Sequence, residues 1–449
     1  RDASPKQLLE NVEINALKQI LGLQQGKEYK SVSELRYGKI MILTDADVDG
    51  SHIKGLIINF IHHFWPSLLK LDPSFICSMI TPIVKATKGA RTEKFYNLTE
   101  FNTWKRNNAN GKGWSIKYYK GLGTSTAVEA KEYFRELARN TVRYVPNSEE
   151  EEENTKSIEL AFKKENADKR KTWILDGIEN GECLDNDEKS ITFDQFINKD
   201  LIWFSIADLQ RSIPCMVDGF KPSQRKVLYA CRKRSSNKEI KVSQLAGYIS
   251  TETSYHHGEQ SVMGAIITMA QNYVGSNTMN LLNPIGQFGT RLMGGKDAAS
   301  PRYIFTNLSQ HGIELFNKND DPLLTYLDDD GFKIEPKYFV PTLPTVLING
   351  AEGIGTGYSS TVPCYNPVDI KKQILKILDG KQPDMIHPWY KGFEGTVEPG
   401  DTDQSYVMKG VYRVTGRTTV EITELPVGKW TQDYKEFLES VSEGVSKKT

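Results

Sequence analysis

Asp45, Asp47 and Asp49 stand at alternate positions where a short apolar run, Ile40-Met41-Ile42-Leu43, gives way to Gly50-Ser51-His52. Carboxylates brought this close repel one another unless a cation sits among them. All-oxygen ligation of that kind suits Mg²⁺, which in turn suits phosphate chemistry. The same Asp-x-Asp-x-Asp-Gly order opens an EF-hand loop, but that loop needs a Glu at its twelfth position. Leu56 stands there, and the approach is strand-like, so calcium is a poor reading. A solvated strand-to-helix turn capped by Asp remains the plain alternative. The spacing speaks for a metal and says little about the reaction.

A second chemical candidate is Tyr303, flanked by Arg302 in Ser300-Pro301-Arg302-Tyr303-Ile304-Phe305. A phenolate is a usable nucleophile if its pKa is lowered, and an adjacent guanidinium does that while also neutralising a phosphate. With 20 tyrosines in the chain, adjacency alone does not single this one out. Tyr255-His256-His257-Gly258-Glu259 lacks HExxH and any metal-ligand spacing. Its two histidines suit a structural loop, phosphate contact or proton transfer. The glycines of 350–357 are not in GxGxxG order and lead into no helix, so close backbone approach to another molecule, DNA among the options, fits better than a dinucleotide. Gly289 to Lys296 misses a phosphate-binding P-loop by one extra residue, with Asp297 where Ser or Thr is needed. The chain offers no ATP site.

The elements that must position these residues follow from periodicity. A strand ending at the carboxylates and a helix through Ile53–Ile61 put them at the C-terminal edge of a sheet, where open α/β sheets bind ligands. Helical spacing runs from Asp2 to Leu23 and stops at Gly22. A strand over 74–82, a strand 114–119 entering the Gly121–Thr124 turn, and a helix Ala127–Arg139 complete an α/β domain over residues 1–145. Glu149 to Glu153 form a like-charge block, and 146–199 reads as a charged connector with one helix.

Residues 200–331 form a second domain. From Leu201 to Phe305 twelve Lys and Arg face six Asp and Glu, a local basic excess on a chain whose 57 basic and 57 acidic residues balance. On a helix over Pro222–Arg234, Val227, Leu228 and Cys231 share one side. Arg225, Tyr229, Arg232 and Lys233 share the other, a stripe suited to a phosphate backbone or simply to water. Residues 332–449 read as an α+β third domain, with strands Thr345–Asn349 and Thr418–Ile422 and a helix Asp369–Leu378.

The charge balance excludes an overall basic protein, so any nucleic-acid surface is a patch. Five dispersed cysteines without a CxxC pair argue for reduced thiols in an intracellular protein and against zinc. No apolar run approaches the roughly 20 residues of a membrane span. The opening at Arg1 without Met, and the ending Val445–Thr449, read as a piece of a longer protein.

The stretches Asp45–Lys54, Lys117–Thr126, Ser212–Lys226, Tyr255–Glu259, Ile285–Phe305 and Asn349–Gly357, with Glu424-Leu425-Pro426, resemble the type IIA DNA topoisomerases. They resemble specifically the eukaryotic form, in which metal and tyrosine domains share one chain. The resemblance implies α/β plus α+β multidomain architecture: a Toprim α/β domain, a winged-helix DNA-binding domain and an α+β tower. It implies a two-metal Mg²⁺ site on Asp45, Asp47 and Asp49, and attack on double-stranded DNA by Tyr303 with Arg302 as transition-state partner. Arg211 and His257 match residues near the scissile phosphate, with His256 beside it. Ile354 matches a wedge between base pairs, and Lys120 and Arg225, with Lys226, match DNA-backbone contacts. A homodimer in the nucleus is implied, with no membrane association. A fourth acidic residue, the ATP-binding domain and most of the exit gate are expected outside this chain, which would then not pass strands by itself. A Toprim nuclease or primase, working without a covalent intermediate, is a rival reading. So is a non-enzymatic module that bends DNA.

Overall fold

The apolar run before the carboxylates is a strand, β1 (Ile40–Ile42), and the chain turns directly from it into a helix. The computed structural model describes residues 3–71, 73–96, 98–119, 121–146, 151–185, 188–255, 258–329, 332–402 and 405–442. Two compact units divide the chain, one of residues 1–209 with 355–358, the other of 210–354 with 359–449.

In the first unit, the expected N-terminal helix is two, α1 (Pro5–Glu10) and α2 (Val12–Leu21). Asn11 breaks the run because its side chain caps α2 by accepting from the Ile14 N–H at 2.8 Å. Gly22 ends α2 in the left-handed conformation, at φ 77°. The next helix, α3 (Val48–Phe64), buries Gly50, Ser51, Gly55, Ile58 and Ile61, a stripe at helical spacing. It packs beside a four-stranded sheet of order β1–β2–β6–β7, where β2 is Ile76–Met79, β6 Thr141–Val145 and β7 Ser190–Thr192. β1 and β2 run parallel, with Ile40 opposite Ile76, and β6 and β7 are parallel too. A second sheet is antiparallel, of order β4–β3–β5, with β3 Val84–Lys88, β4 Arg91–Phe95 and β5 Ser115–Tyr118. The helix expected to Arg139 is α4 (Ala127–Arg135), then a break at Glu136 and a single turn, Leu137–Asn140.

The segment 146–199 is not a connector. It supplies α5 (Glu151–Phe162), α6 (Ala167–Asn180) and β7 to this unit. Ile158, Phe162, Ile191, Phe193 and Phe196 lie in the same core as Ile42, Ile58, Trp65 and Phe75. Apolar positions spaced along charged helices bury one face whatever the net composition. A π-helical turn, Ile197–Leu201, then leads into α7 (Ile202–Ser212).

The second unit centres on three helices, α8 (Pro222–Lys233), α9 (Val242–Thr253) and α10 (Glu259–Ala270). Val227, Leu228, Val242, Leu245, Ile249, Val262 and Ile266 are fully buried among them. A small antiparallel pair, β8 (Ile240–Lys241) with β9 (Phe305–Thr306), adds the wing of the expected winged-helix arrangement. The rest is α+β: hairpins 326–336, 351–362, 396–409 and 411–424, and helices Pro367–Leu378 and Thr431–Ser442. The expected strand Thr345–Asn349 is a one-turn helix, Thr345–Ile348. Its Thr345 hydroxyl donates to the buried Asp218 carbonyl at 2.7 Å, and that tertiary bond overrides the β-branched local preference.

Candidate active site

Asp47 is the N-cap of α3, accepting from the Gly50 N–H at 2.8 Å, and Asp49 lies in the first turn. Both carboxylates therefore sit at the positive end of the helix, which favours their charge. Asp45 accepts from the Leu122 N–H at 2.6 Å, from the glycine turn that follows β5. Two glycines crowd it. A Cβ on Gly50 would lie 2.1 Å from the Asp45 carbonyl oxygen, and one on Gly121 would lie 3.1 Å from each atom of its carboxyl group. Only chain without side chains fits on either side of Asp45.

Beyond the first turn of α3, Ser51 and Lys54 both donate to Asp200, at 2.7 and 2.8 Å. Burial alone would lower the Lys54 pKa, but the Asp200 carboxylate outweighs it and the pKa is raised, so this lysine stays charged. Asp200 comes from the π-helical turn, a local widening that aims a side chain differently from a regular helix. The Ser51–Lys54–Asp200 tether fixes the helix that carries the carboxylates.

All-oxygen carboxylate donors suit a hard divalent cation. A carboxylate has about four lone-pair sites, so the N–H that each of Asp45 and Asp47 accepts leaves capacity for a metal. Among the described residues, however, no three such groups converge on one point. The donors fit the ion in kind, strung along a turn and a helix start rather than closed into a cage.

In the second unit Tyr303 and Arg302 are exposed while Ile304, next in the chain, is 2% exposed. The turn is pinned from both sides: Tyr303 N–H donates to Ser300, Val242 N–H to Ile304 and Ser243 N–H to Pro301, while Phe305 pairs with Ile285. Buried Ile304 anchors the turn, and alternation throws Tyr303 outward at 69% exposure. The Arg302 guanidinium lies 5.6 Å from the Tyr303 ring, with Nε donating to Ser300. Among the described residues no carboxylate pairs with it.

Ile354 ends the strand Ala351–Ile354 and is 75% exposed. Its hairpin packs on the chain just after Arg211, since a Cβ on Gly353 would lie 2.3 Å from the Ser212 carbonyl oxygen. Arg211 is half-buried in the last turn of α7. Lys120, His256 and His257 lie outside the described residues.

A family model for DNA gyrase and topoisomerase IV, built on the chain of those enzymes that carries the tyrosine domain, matches residues 211–448, just over half of this chain. The chain belongs to the type IIA DNA topoisomerase family. A second model, the C-terminal associated domain of TOPRIM, matches residues 79–209, in agreement with the division into units. DNA topoisomerase 2 of Arabidopsis thaliana is 53% identical over 447 residues, covering 98% of this chain. Human DNA topoisomerase 2-beta is 51% identical over 462 residues, covering all of it. The chain spans only 30% and 28% of those relatives. A solved Plasmodium falciparum structure, the topoisomerase II DNA-binding, cleavage and re-ligation domain, matches with a TM-score of 0.78 at 48% identity, over 98% of this chain and 60% of that one. Membership in this Toprim-containing family is consistent with metal-dependent function. No helix among the described residues is long and apolar enough to cross a membrane.

Against family expectation, the basic stripe of α8 does not face outward. Arg225 grips Asp218 with two bonds, at 2.7 and 2.9 Å, where Asp218 is fully buried. Lys226 donates to Glu335 and the Thr253 carbonyl, and Arg232 to Asp321 and the Phe316 carbonyl. Arg225 and Lys226, expected as DNA contacts, are here internal ion pairs, and Arg225 would have to abandon a buried carboxylate to reach a phosphate. A helical wheel shows faces but not the acids that other segments bring to them. Asp200 and Glu129 are likewise absent from the residues that motif and spacing single out. Only Glu129 leaves a signal in the sequence, as the last residue of a Thr126-x-x-Glu129 capping box at the start of α4, where the two residues bond reciprocally.

Proposed function

We propose that this chain is the DNA breakage–reunion core of a type IIA topoisomerase, with Tyr303 as nucleophile. The observation that carries the reading is the pinned, outward turn at 300–304, which holds an exposed phenol beside an exposed guanidinium with no carboxylate partner among the described residues. Tyr303 Oη attacks a backbone phosphorus, the bond to the 3′ oxygen breaks, and a 5′-phosphotyrosyl link forms with a free 3′ hydroxyl. One phosphodiester is exchanged for another, so religation is the reverse reaction and needs no external energy. Arg302 neutralises charge that builds on the phosphate during attack. Asp45, Asp47 and Asp49 would hold Mg²⁺ in a two-metal arrangement, which supplies stabilisation of the attacking and leaving oxygens when bound. Ile354, exposed at a hairpin end, is placed to enter a base step and bend the duplex. Arg211 and the two histidines serve the scissile phosphate.

Double-stranded DNA is the substrate of this reading, a homodimer the acting form and the nucleus its compartment. ATP-driven passage of a second duplex belongs to the parts of the relatives that this chain does not span. The intact protein, mixed with end-labelled duplex and Mg²⁺ and quenched with detergent, should carry a covalently attached 5′ end that disappears in Tyr303→Phe. Cut DNA with free ends in both proteins would mean a Toprim nuclease instead, and intact bound DNA a bending module.

A further inference from the structure

We infer that Glu129 is a positioning residue for the metal-binding turn, acting through the loop 119–126 on Asp45; this rests on the metal reading above. One carboxylate holds both ends of that loop. At its start the Tyr119 hydroxyl donates to Glu129 Oε1, and Lys117 Nζ, on β5 just before it, donates to Oε2 at 2.8 Å. At its end the Thr126 N–H and hydroxyl donate to Oε2 at 2.8 and 3.0 Å. Between these anchors lie Gly121, packed against the Asp45 carboxyl group, and Leu122, whose N–H bonds it at 2.6 Å. Thr124 tightens the turn further, its N–H and hydroxyl both donating to the Gly121 carbonyl at 3.1 and 2.7 Å. The place of the Asp45 carboxylate is thus set by a loop whose two ends meet at Glu129.

The charges suit a fixed staple. Burial pushes the Glu129 carboxyl up, but hydrogen bonds from Lys117, Thr126 and Tyr119 outweigh it and hold it at about 2. Burial and the Glu129 carboxylate together raise the Tyr119 pKa, so the phenol stays a donor. The plainer role for Glu129 is the capping box of α4. A cap accounts for the Thr126 bonds and leaves those from Tyr119 and Lys117 unexplained. Groups that orient metal-binding side chains typically matter about 10–100-fold in metal affinity.

The test uses the intact protein with Mn²⁺ as probe, free ion being counted by its paramagnetic resonance signal. Hydrogen–deuterium exchange of the peptide bearing Leu122 is followed separately, without metal. Tyr119→Phe removes the staple at the loop start and keeps the cap; Thr126→Ala weakens the cap and keeps the Tyr119 and Lys117 bonds. The expected result is about a tenfold weaker Mn²⁺ affinity and faster Leu122 exchange in Tyr119→Phe and Glu129→Gln. Thr126→Ala should leave both readouts near the parent values. Parent values of both in Tyr119→Phe, or equal losses in Thr126→Ala, would overturn the positioning role. Asp45→Asn separates the two ideas: if it binds Mn²⁺ as the parent does, the metal reading fails, whereas faster Leu122 exchange in Tyr119→Phe would still report the staple.

Discussion

Helix α8 and the turn at 300–304 are both basic, and both sit in the second unit, yet they use their charge in opposite ways. In α8, Arg225, Lys226, Arg232 and Lys233 each meet a carboxylate: Asp218, Glu335, Asp321 and Glu252. At the turn, Arg302 is exposed beside an exposed tyrosine and leans on a serine hydroxyl. Positive charge is therefore not by itself a mark of a nucleic-acid surface. A cation already paired inside the fold holds the fold, and one left without an acid is available to a phosphate. The count of twelve against six that flagged this region as DNA-binding mixes the two kinds.

If the comparison is right, substitutions in the two regions must fail differently. Tyr303→Phe should abolish covalent attachment to DNA altogether while leaving binding and thermal unfolding at parent values; any residual phosphotyrosyl product would move the nucleophile elsewhere. Arg225→Ala leaves Asp218 charged and unpaired in the core, and should cost about 3–5 kcal/mol in the chemical denaturation of the second unit. Its dependence of DNA affinity on salt should stay that of the parent, and a slope shallower by about one unit would make Arg225 a phosphate contact after all. Arg302→Ala should reverse that pattern, slowing cleavage by about 10²–10³-fold with no change in stability. Ile354→Ala should leave cleavage chemistry intact and reduce the bend of bound DNA, read by energy transfer between labelled duplex ends. Smallest of all, Lys233→Ala breaks a half-exposed pair with Glu252, and should change stability by no more than about 1 kcal/mol.

What was legible in the sequence was local. The alternate aspartates, the stop at Gly22, the strand–turn–helix order around them and the Ser300–Phe305 turn are patterns a few residues long, and each is found where the pattern puts it. What was not legible depends on partners far along the chain. Arg225 is seven residues from Asp218, but the burial that makes the pair structural comes from Phe339 and Thr345 closing over it. Thr345–Ile348 has strand-like residues and becomes a helical turn because of the same aspartate. The charged run 146–199 hid a buried face because acidic and basic residues outnumber the few apolar positions that reach the core. At the site itself, the three aspartates were readable, but the turn from 121–124 that orients Asp45 was not, since 77 residues separate Asp45 from Leu122.

Asp218 also sets an order of assembly. Its carboxylate is served first by Phe220 and Arg225, close by in the chain, and then by the Phe339 N–H, 121 residues away. Its carbonyl waits for Thr345, 127 residues away. Closing a loop of that length costs more entropy than forming α8, so the near partners arrive early and the far ones late. The pair becomes sealed from water only when residues 339–345 return. Refolding of the second unit should therefore end in a step that joins distant segments, with Asp218 as the latch that turns a loose helical cluster into a single cooperative body.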